Sequence, residues 1–520
     1  MAFVTGYVMR RILLFGTLLL VSCVTVRHIE ITPIEPEDDA EAPILVESPV
    51  KAHLVDGSTV IFPQGLSVEG SKVTGQGFKY DITLEHSEPV TELHFDDIAA
   101  MESYQDVVNT GATVAASTIT TVGGTFAGLA LFKAIFGSCP TTYSLENGEP
   151  VLEAESFSYS IAPGFEARDV DRLGIVSTGQ KTLELEMRNE ALETHYVNHA
   201  ELLEVVHTSE ESVYPDPSGR PVIIGELRTP DLVVDRSGRS INKIVGAADG
   251  NAWSTATELL RNVSAEDMED FIDLEFDIAG SGGSLALVLR LRNSLLNTVL
   301  LYDVMLDGQG FRALDWMGKD LDRLWPKYKL ARWYQTRLGM RVAIWDRDRF
   351  KDVTSLADTG PIAWNELAIP LPATKSDRLR VRLSFVADNW RIDQVALATN
   401  VRAGDARKIP VSEVLDASGV ELPRAQRNLR KADESYVVTK PGEYVRLRFD
   451  VGNSAGNLDR TWFLAAEGYY IEWMRKDWLD TSSTTAFEPG DHALLDAIGL
   501  WESRRDAFRE QFESTKIRTR

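Results

Sequence analysis

One Gly-x-Ser-x-Gly match occurs in the chain, Gly452-Asn453-Ser454-Ala455-Gly456. A nucleophile elbow needs a strand before the serine and a helix after it. Tyr444 to Val451 alternates as a strand, but Asn457-Leu458-Asp459-Arg460 leads into an aromatic run that reads as another strand. A hairpin turn is therefore expected at Ser454, with His492 the sole histidine downstream. His195 and His199 stand four residues apart. On a helix they would be neighbours able to share a metal; on a strand their Cα atoms lie roughly 13 Å apart. Alternation continuing to Val205 and Val206 favours the strand, so no metal is assigned there. Cys139, beside Pro140, has nothing local to lower its pKa and reads as a buried thiol. Phosphate loops, dinucleotide fingerprints and His-Glu-x-x-His are missing from the sequence, and no cofactor is expected. Paired carboxylates would suit glycoside hydrolysis, but among 78 acids spacing singles out no pair. All eleven tryptophans lie at or after Trp253. Trp364, in a loop-like stretch, and Trp390 are the candidate faces for a sugar ring, although tryptophan also fills β cores.

The elements that must position these residues read as mainly β. With 520 residues, 44% of them hydrophobic, the chain can form two to four domains. A net charge of −24 argues against a nucleic-acid partner, because phosphate attraction needs a basic footprint. Two cysteines exclude a disulfide framework. Residues 50–103 read as a small β-barrel-like domain, with Asp56-Gly57-Ser58 a hairpin signal. Within 107–137, Val107 to Phe132 is a 26-residue stretch without charge, with Gly124 and Gly128 at GxxxG spacing. It fits either a membrane segment or a small-residue segment buried in protein. Tandem β-sandwich modules are expected over 138–265 and 266–400, the second carrying a helical insertion at 312–337. Leu183, Leu185, Met187, Arg188 and Asn189 return as Leu287, Leu289, Leu291, Arg292 and Asn293, an offset of 104 that suggests related modules. A linker is expected over 401–433, a C-terminal β segment over 434–478, and a tail over 479–520. That tail carries an amphipathic helix with Leu494, Ile498, Trp501, Phe508 and Phe512 on one stripe.

The N-terminus carries an address. Arg10-Arg11 precedes the uncharged run Ile12 to Val21, too short to span a bilayer, and then Ser22-Cys23. Leu20-Val21-Ser22-Cys23 resembles the lipobox of bacterial lipoproteins. That resemblance implies removal of residues 1–22 as a signal peptide, lipidation at Cys23, and, with Val24 following, an outer rather than inner membrane. Residues 23–49 hold prolines and many acids, an extended tether. Residues 271–398 also resemble the closing strands of galactose-binding-like jelly rolls, through Leu379, Val381, Leu383, Phe385 and Trp390-Arg391-Ile392-Asp393. The helical insertion departs from that pattern.

These readings lead to a lipid-anchored cell-envelope protein with a non-catalytic binding or structural role. Its expected partners are the membrane, through the anchor, and a glycan or envelope protein. An anchored polysaccharide hydrolase and an envelope assembly subunit are the alternatives.

Overall fold

The computed structural model describes residues 44–46, 50–54, 58–69, 71–80, 87–94, 97–103, 107–109, 113–114, 140–175, 181–191, 193–280, 283–310, 312–374, 376–440, 443–453, 458–472 and 485–514. The described chain is mainly β, in five antiparallel sheets.

Nine strands between Ile44 and Val114 form one sheet around Val50, Val60, Phe62, Val68 and Val73. Val50–Leu54 and Thr59–Phe62 pair antiparallel, on either side of the expected turn, whose Asp56 and Gly57 lie outside the described residues. A Cβ at Gly75 or Gly77 would come within 2.8 Å of the Phe62 ring, so both glycines let the sheet close onto that ring. Two boundaries differ from expectation. Ile44–Val46, expected in the tether, pairs with Leu66–Glu69, because its apolar residues suit a strand better than the acids before them. Val107–Asn109 and Thr113–Val114, expected within the apolar segment, extend the same sheet. Cys23 and the leader, Gly124, Gly128 and Cys139 lie outside the described residues.

The second sheet is a nearly closed barrel built from two distant stretches of chain. Its strand order is Glu149–Glu155, Thr141–Glu146, Thr182–Arg188, Tyr444–Asp450, Arg407–Leu415, Glu193–His207, Asp459–Glu472, Ala167–Leu173, with Val437–Thr439 beside Glu193–His207. The expected division into a sandwich, a linker and a C-terminal segment is therefore replaced by one sheet. The supposed linker supplies the Arg407–Leu415 strand and the helix Pro423–Leu429. Charges gave it a solvent-like appearance, but Arg407 and Lys408 pair with Glu204 and Glu201 on the adjacent strand.

Between these stretches the chain forms a two-sheet sandwich. Leu227–Arg228, Trp390–Ala398, Leu285–Asn293 and Asn365–Leu371 make one sheet. Leu232–Asp235, Glu269–Asp277, Arg378–Val386, Met340–Asp346 and Arg349–Leu356 make the other. Leu287, Leu289, Leu291, Val381, Leu383 and Phe385 fill the space between them, as strand alternation demands. A three-stranded sheet with Tyr214, Val222 and Ile224 covers the outer alanine face of Ala286, Ala368, Ala396 and Ala398.

The helical insertion is longer than expected, running from Leu296 to Leu338 through α, 3-10 and π-helical turns. The final helix, Asp491–Ser514, buries Leu494, Ala497, Ile498 and Trp501 against it. The side chains of Phe508 and Phe512 lie outside the described residues. The repeat has a local structural meaning. Asn189 and Asn293 are both buried and bond backbone across a connection, Asn189 to the Glu193 and Thr439 carbonyls, Asn293 to the Asn389 carbonyl and the Thr359 amide. The likeness ends there, because Glu193–His207 continues as a strand whereas Leu296–Val299 starts a helix.

Candidate functional site

A cavity of about 270 Å³ opens where the barrel, the sandwich and the helical layer meet. Ile161, Phe165, Leu301, Leu330, Leu338 and Tyr470 supply most of its wall, and exposed Ala331 stands on its rim. Two of the π-helical turns, Leu300–Leu306 and Tyr334–Leu338, face it. Such turns widen a helix locally and recur at ligand sites.

Four polar side chains define its chemistry. Asn297 opens the helix that follows the Leu285–Asn293 strand, and its amide donates to Asp358 Oδ2 at 2.8 Å. Asp358 also accepts from the Gly360 amide at 3.0 Å. Burial raises the Asp358 carboxyl above its ordinary range. Tyr334 donates to Met305 Sδ at 3.3 Å, and burial and then Asp358 raise its phenol. Asn297 Oδ1 and the Ser158 hydroxyl, both buried, have no hydrogen-bond partner among the described residues. An unsatisfied buried polar group costs about 1–3 kcal/mol, so a small shift of the wall that bared these two groups to a partner in the cavity would be repaid. Asp358 is the only carboxylate on the described wall, whereas glycoside hydrolysis uses two.

The residues singled out from sequence fall elsewhere. Ser454 lies outside the described residues; Gly452 before it has φ of +68°, and the strand Asp459–Glu472, not a helix, follows. His195 and His199 lie on one strand, with a bulge between Val197 and His199. His195 pairs with Tyr470 and His199 with Glu467, so the extra residue turns the two rings to opposite faces. His195 contacts Glu193 at 3.2 Å, and burial lowers its pKa to about 3, which leaves it neutral at ordinary pH. His199 contacts the Leu429 carbonyl at 2.7 Å. The bulge thus separates the two metal candidates, and the described residues hold no group of three potential metal ligands. Trp390 is fully buried and donates to the Leu338 carbonyl, so it presents no face to a sugar. Trp364 is half-buried, with the Arg290 and Arg292 guanidinium groups 5.1 and 4.5 Å from its ring centre.

A second group of buried acids lines the barrel's open seam, where Glu149–Glu155 and Ala167–Leu173 do not pair. Glu153 accepts from the Gly174 amide at 2.7 Å and Asp169 from the Phe157 amide at 2.9 Å, so carboxylates substitute for ladder bonds across the gap. Glu155 accepts from the Ile362 and Ala363 amides at 2.7 and 3.0 Å, tying the sandwich to the barrel. A Cβ at Gly360 would meet the Glu155 carboxyl at 2.6 Å. Asp171 accepts from Asn365, and its Oδ2 has no hydrogen-bond partner among the described residues. Burial, then Asp169 and Glu155, raise its carboxyl well above the ordinary range.

Sequence reading passed over Ser158, Asn297, Tyr334 and Asp358. They are scattered through the chain, and only packing between domains joins them. Asp358-Thr359-Gly360 carries a turn signal, and Asn297 follows shortly after the repeated segment, but neither marks a cavity.

No family model matches the chain, and no curated protein matches it. Among solved structures, the chain is similar to a cycloalternan-forming enzyme from Listeria monocytogenes in complex with a pentasaccharide substrate. The identity is 10% and the TM-score 0.17, with 70% of this chain and 30% of that one covered. The chain therefore spans under a third of that protein's length. It is also similar to the structure of infectious bursal disease virus Gx strain, at 10% identity and a TM-score of 0.13, covering 73% of this chain and 85% of that one. Likenesses at this level carry no argument about function.

Proposed function

We propose that the protein is a lipid-anchored, non-catalytic binding protein of the cell envelope, and that the cavity beside Asn297 is its ligand site. The observation that carries the binding reading is the pair of unpartnered polar groups, Asn297 Oδ1 and Ser158 Oγ, in the wall of a mostly apolar pocket. The pocket suits a small molecule with an apolar body and a hydrogen-bond donor at one end. It suits a glycan poorly, because a sugar needs many polar partners over its whole surface. A single carboxylate, held toward its neutral form, supports binding over hydrolysis. The envelope address rests on Leu20-Val21-Ser22-Cys23 and the acidic stretch after it.

Titration with N-phenyl-1-naphthylamine, an apolar fluorophore with one N–H donor, tests the site. Saturable one-site binding is expected, weakened at least about tenfold by Ala331→Trp at the rim and by Asn297→Leu. Equal binding by all three proteins would overturn the assignment. Metabolic labelling with a fatty acid, lost in Cys23→Ala, tests the anchor separately.

A further inference from the structure

The helix Leu324–Trp333 has two unlike faces. Leu330 and Ala331 turn toward the cavity. Leu324, Trp325 and Tyr328 point away, at 75%, 71% and 50% exposure, the first two being the largest values among the exposed large apolar residues of the described chain. Trp325 and Tyr328 stand edge to face, their ring centres 6.2 Å apart. Water offers no reason to hold a tryptophan, a leucine and a tyrosine on one projecting tip.

The surrounding charge is unusual for this chain. From Lys319 to Arg337 there are six cations and two acids, Asp320 and Asp322, in a protein of net charge −24. Acids from other segments temper this excess. Lys319 pairs with Asp315, Lys329 with Glu488 at 3.6 Å, and Arg337 with Asp491. Arg323 pairs with Asp320, and its side chain is 72% exposed. Arg332 donates to the Tyr328 hydroxyl, and Lys327 lies 5.9 Å from the Phe165 ring centre. The outer turns thus combine Trp, Leu and Tyr with Arg323, Lys327, Lys329 and Arg332.

We infer that this tip docks on an anionic lipid surface. Tryptophan and tyrosine settle at the headgroup level of a bilayer, leucine enters the acyl boundary, and lysine and arginine bind acidic headgroups. An otherwise acidic protein is repelled by an anionic membrane, so a cationic, apolar tip would also fix which side faces the lipid. The inference does not depend on lipidation at Cys23 or on the cavity holding a ligand.

Sedimentation with sucrose-loaded vesicles tests it, using the full chain with Cys23→Ser so that no acyl group contributes. Vesicles of phosphatidylcholine with about one third phosphatidylglycerol should bind the protein several-fold better than phosphatidylcholine alone. Leu324→Ser with Trp325→Ser should lower partitioning at least about tenfold. Lys327→Glu with Lys329→Glu should remove the preference for phosphatidylglycerol and its dependence on salt. Leu324, Trp325 and Lys329 are exposed and Lys327 is half-buried, so an unchanged melting temperature will show that each variant is folded. Equal binding by parent and variants overturns the inference. So does a parent that ignores vesicles yet binds alginate, a soluble acidic polysaccharide.

Discussion

The barrel seam and the sandwich both enclose carboxylates, but those at the seam and those at Asp388 and Asp393 are neutralised differently. In the sandwich, Asp388 is fully buried against Arg391 and Arg505 and accepts from the Trp501 indole. Asp393 is paired with Arg290 in the same way. At the barrel seam, Asp169 and Glu155 are met by backbone amides, and Asp171 by one side-chain amide. The difference follows from what each place must do. Asp388 anchors a separate helix and Asp393 a neighbouring strand, and a guanidinium fixes both partners in direction. The seam acids bridge strands that do not pair, where an unsatisfied amide needs an acceptor more than a cation.

Breaking each kind of contact should separate the two regions. Asp388→Ala leaves Arg505 and Arg391 without their buried counter-charge and should cost about 3–5 kcal/mol in urea denaturation. It should also release the Asp491–Ser514 helix to protease earlier than in the parent. Glu155→Ala leaves the Ile362 and Ala363 amides unpaired and should cost about 3 kcal/mol, while Glu155→Gln, which keeps an acceptor, should cost less.

Acidity sharpens the contrast. Asp171 holds its proton more tightly folded than unfolded, because burial and neighbouring acids disfavour its charge. The native state therefore loses stability as pH rises from the ordinary carboxylate range toward neutrality. Asp171→Asn should remove this loss, so that the variant gains on the parent between pH 5 and pH 8 in paired urea titrations. A constant difference across that range would contradict the assignment.

The smallest expected effects concern the hairpin turns that begin at Asp216, Asp235 and Asp416. In each, Asp Oδ1 accepts from the serine amide, the serine hydroxyl and the amide four residues on. Asp216 and Asp235 add an arginine, Arg220 and Arg239, which Val420 cannot supply. Asp235→Ala, which also loses the Arg239 pair, should cost about 1 kcal/mol, and Asp416→Ala, which loses only turn hydrogen bonds, somewhat less.

Much of this organisation was visible in the chain. Leu183 to Met187 and Leu287 to Leu291 alternate plainly, and Ser218-Gly219 and Ser237-Gly238 read directly as turns. Strand partners were not visible. Thr182–Arg188 pairs with Tyr444–Asp450 across more than 250 residues, and no local pattern carries that information. The histidine geometry hinged on one bulged residue, which alternation alone does not reveal. The cavity was hidden for the same reason, because Ser158, Asn297, Tyr334 and Asp358 become neighbours only when barrel, helical layer and sandwich close together.

That junction is expected to hold a ligand. Native mass spectrometry of the protein purified from its native cells, followed by solvent extraction, tests this directly. A small, mostly apolar molecule should accompany the parent protein and be missing from Ala331→Trp. Parent protein that carries no such molecule in the cavity, or equal cargo in both, would contradict it.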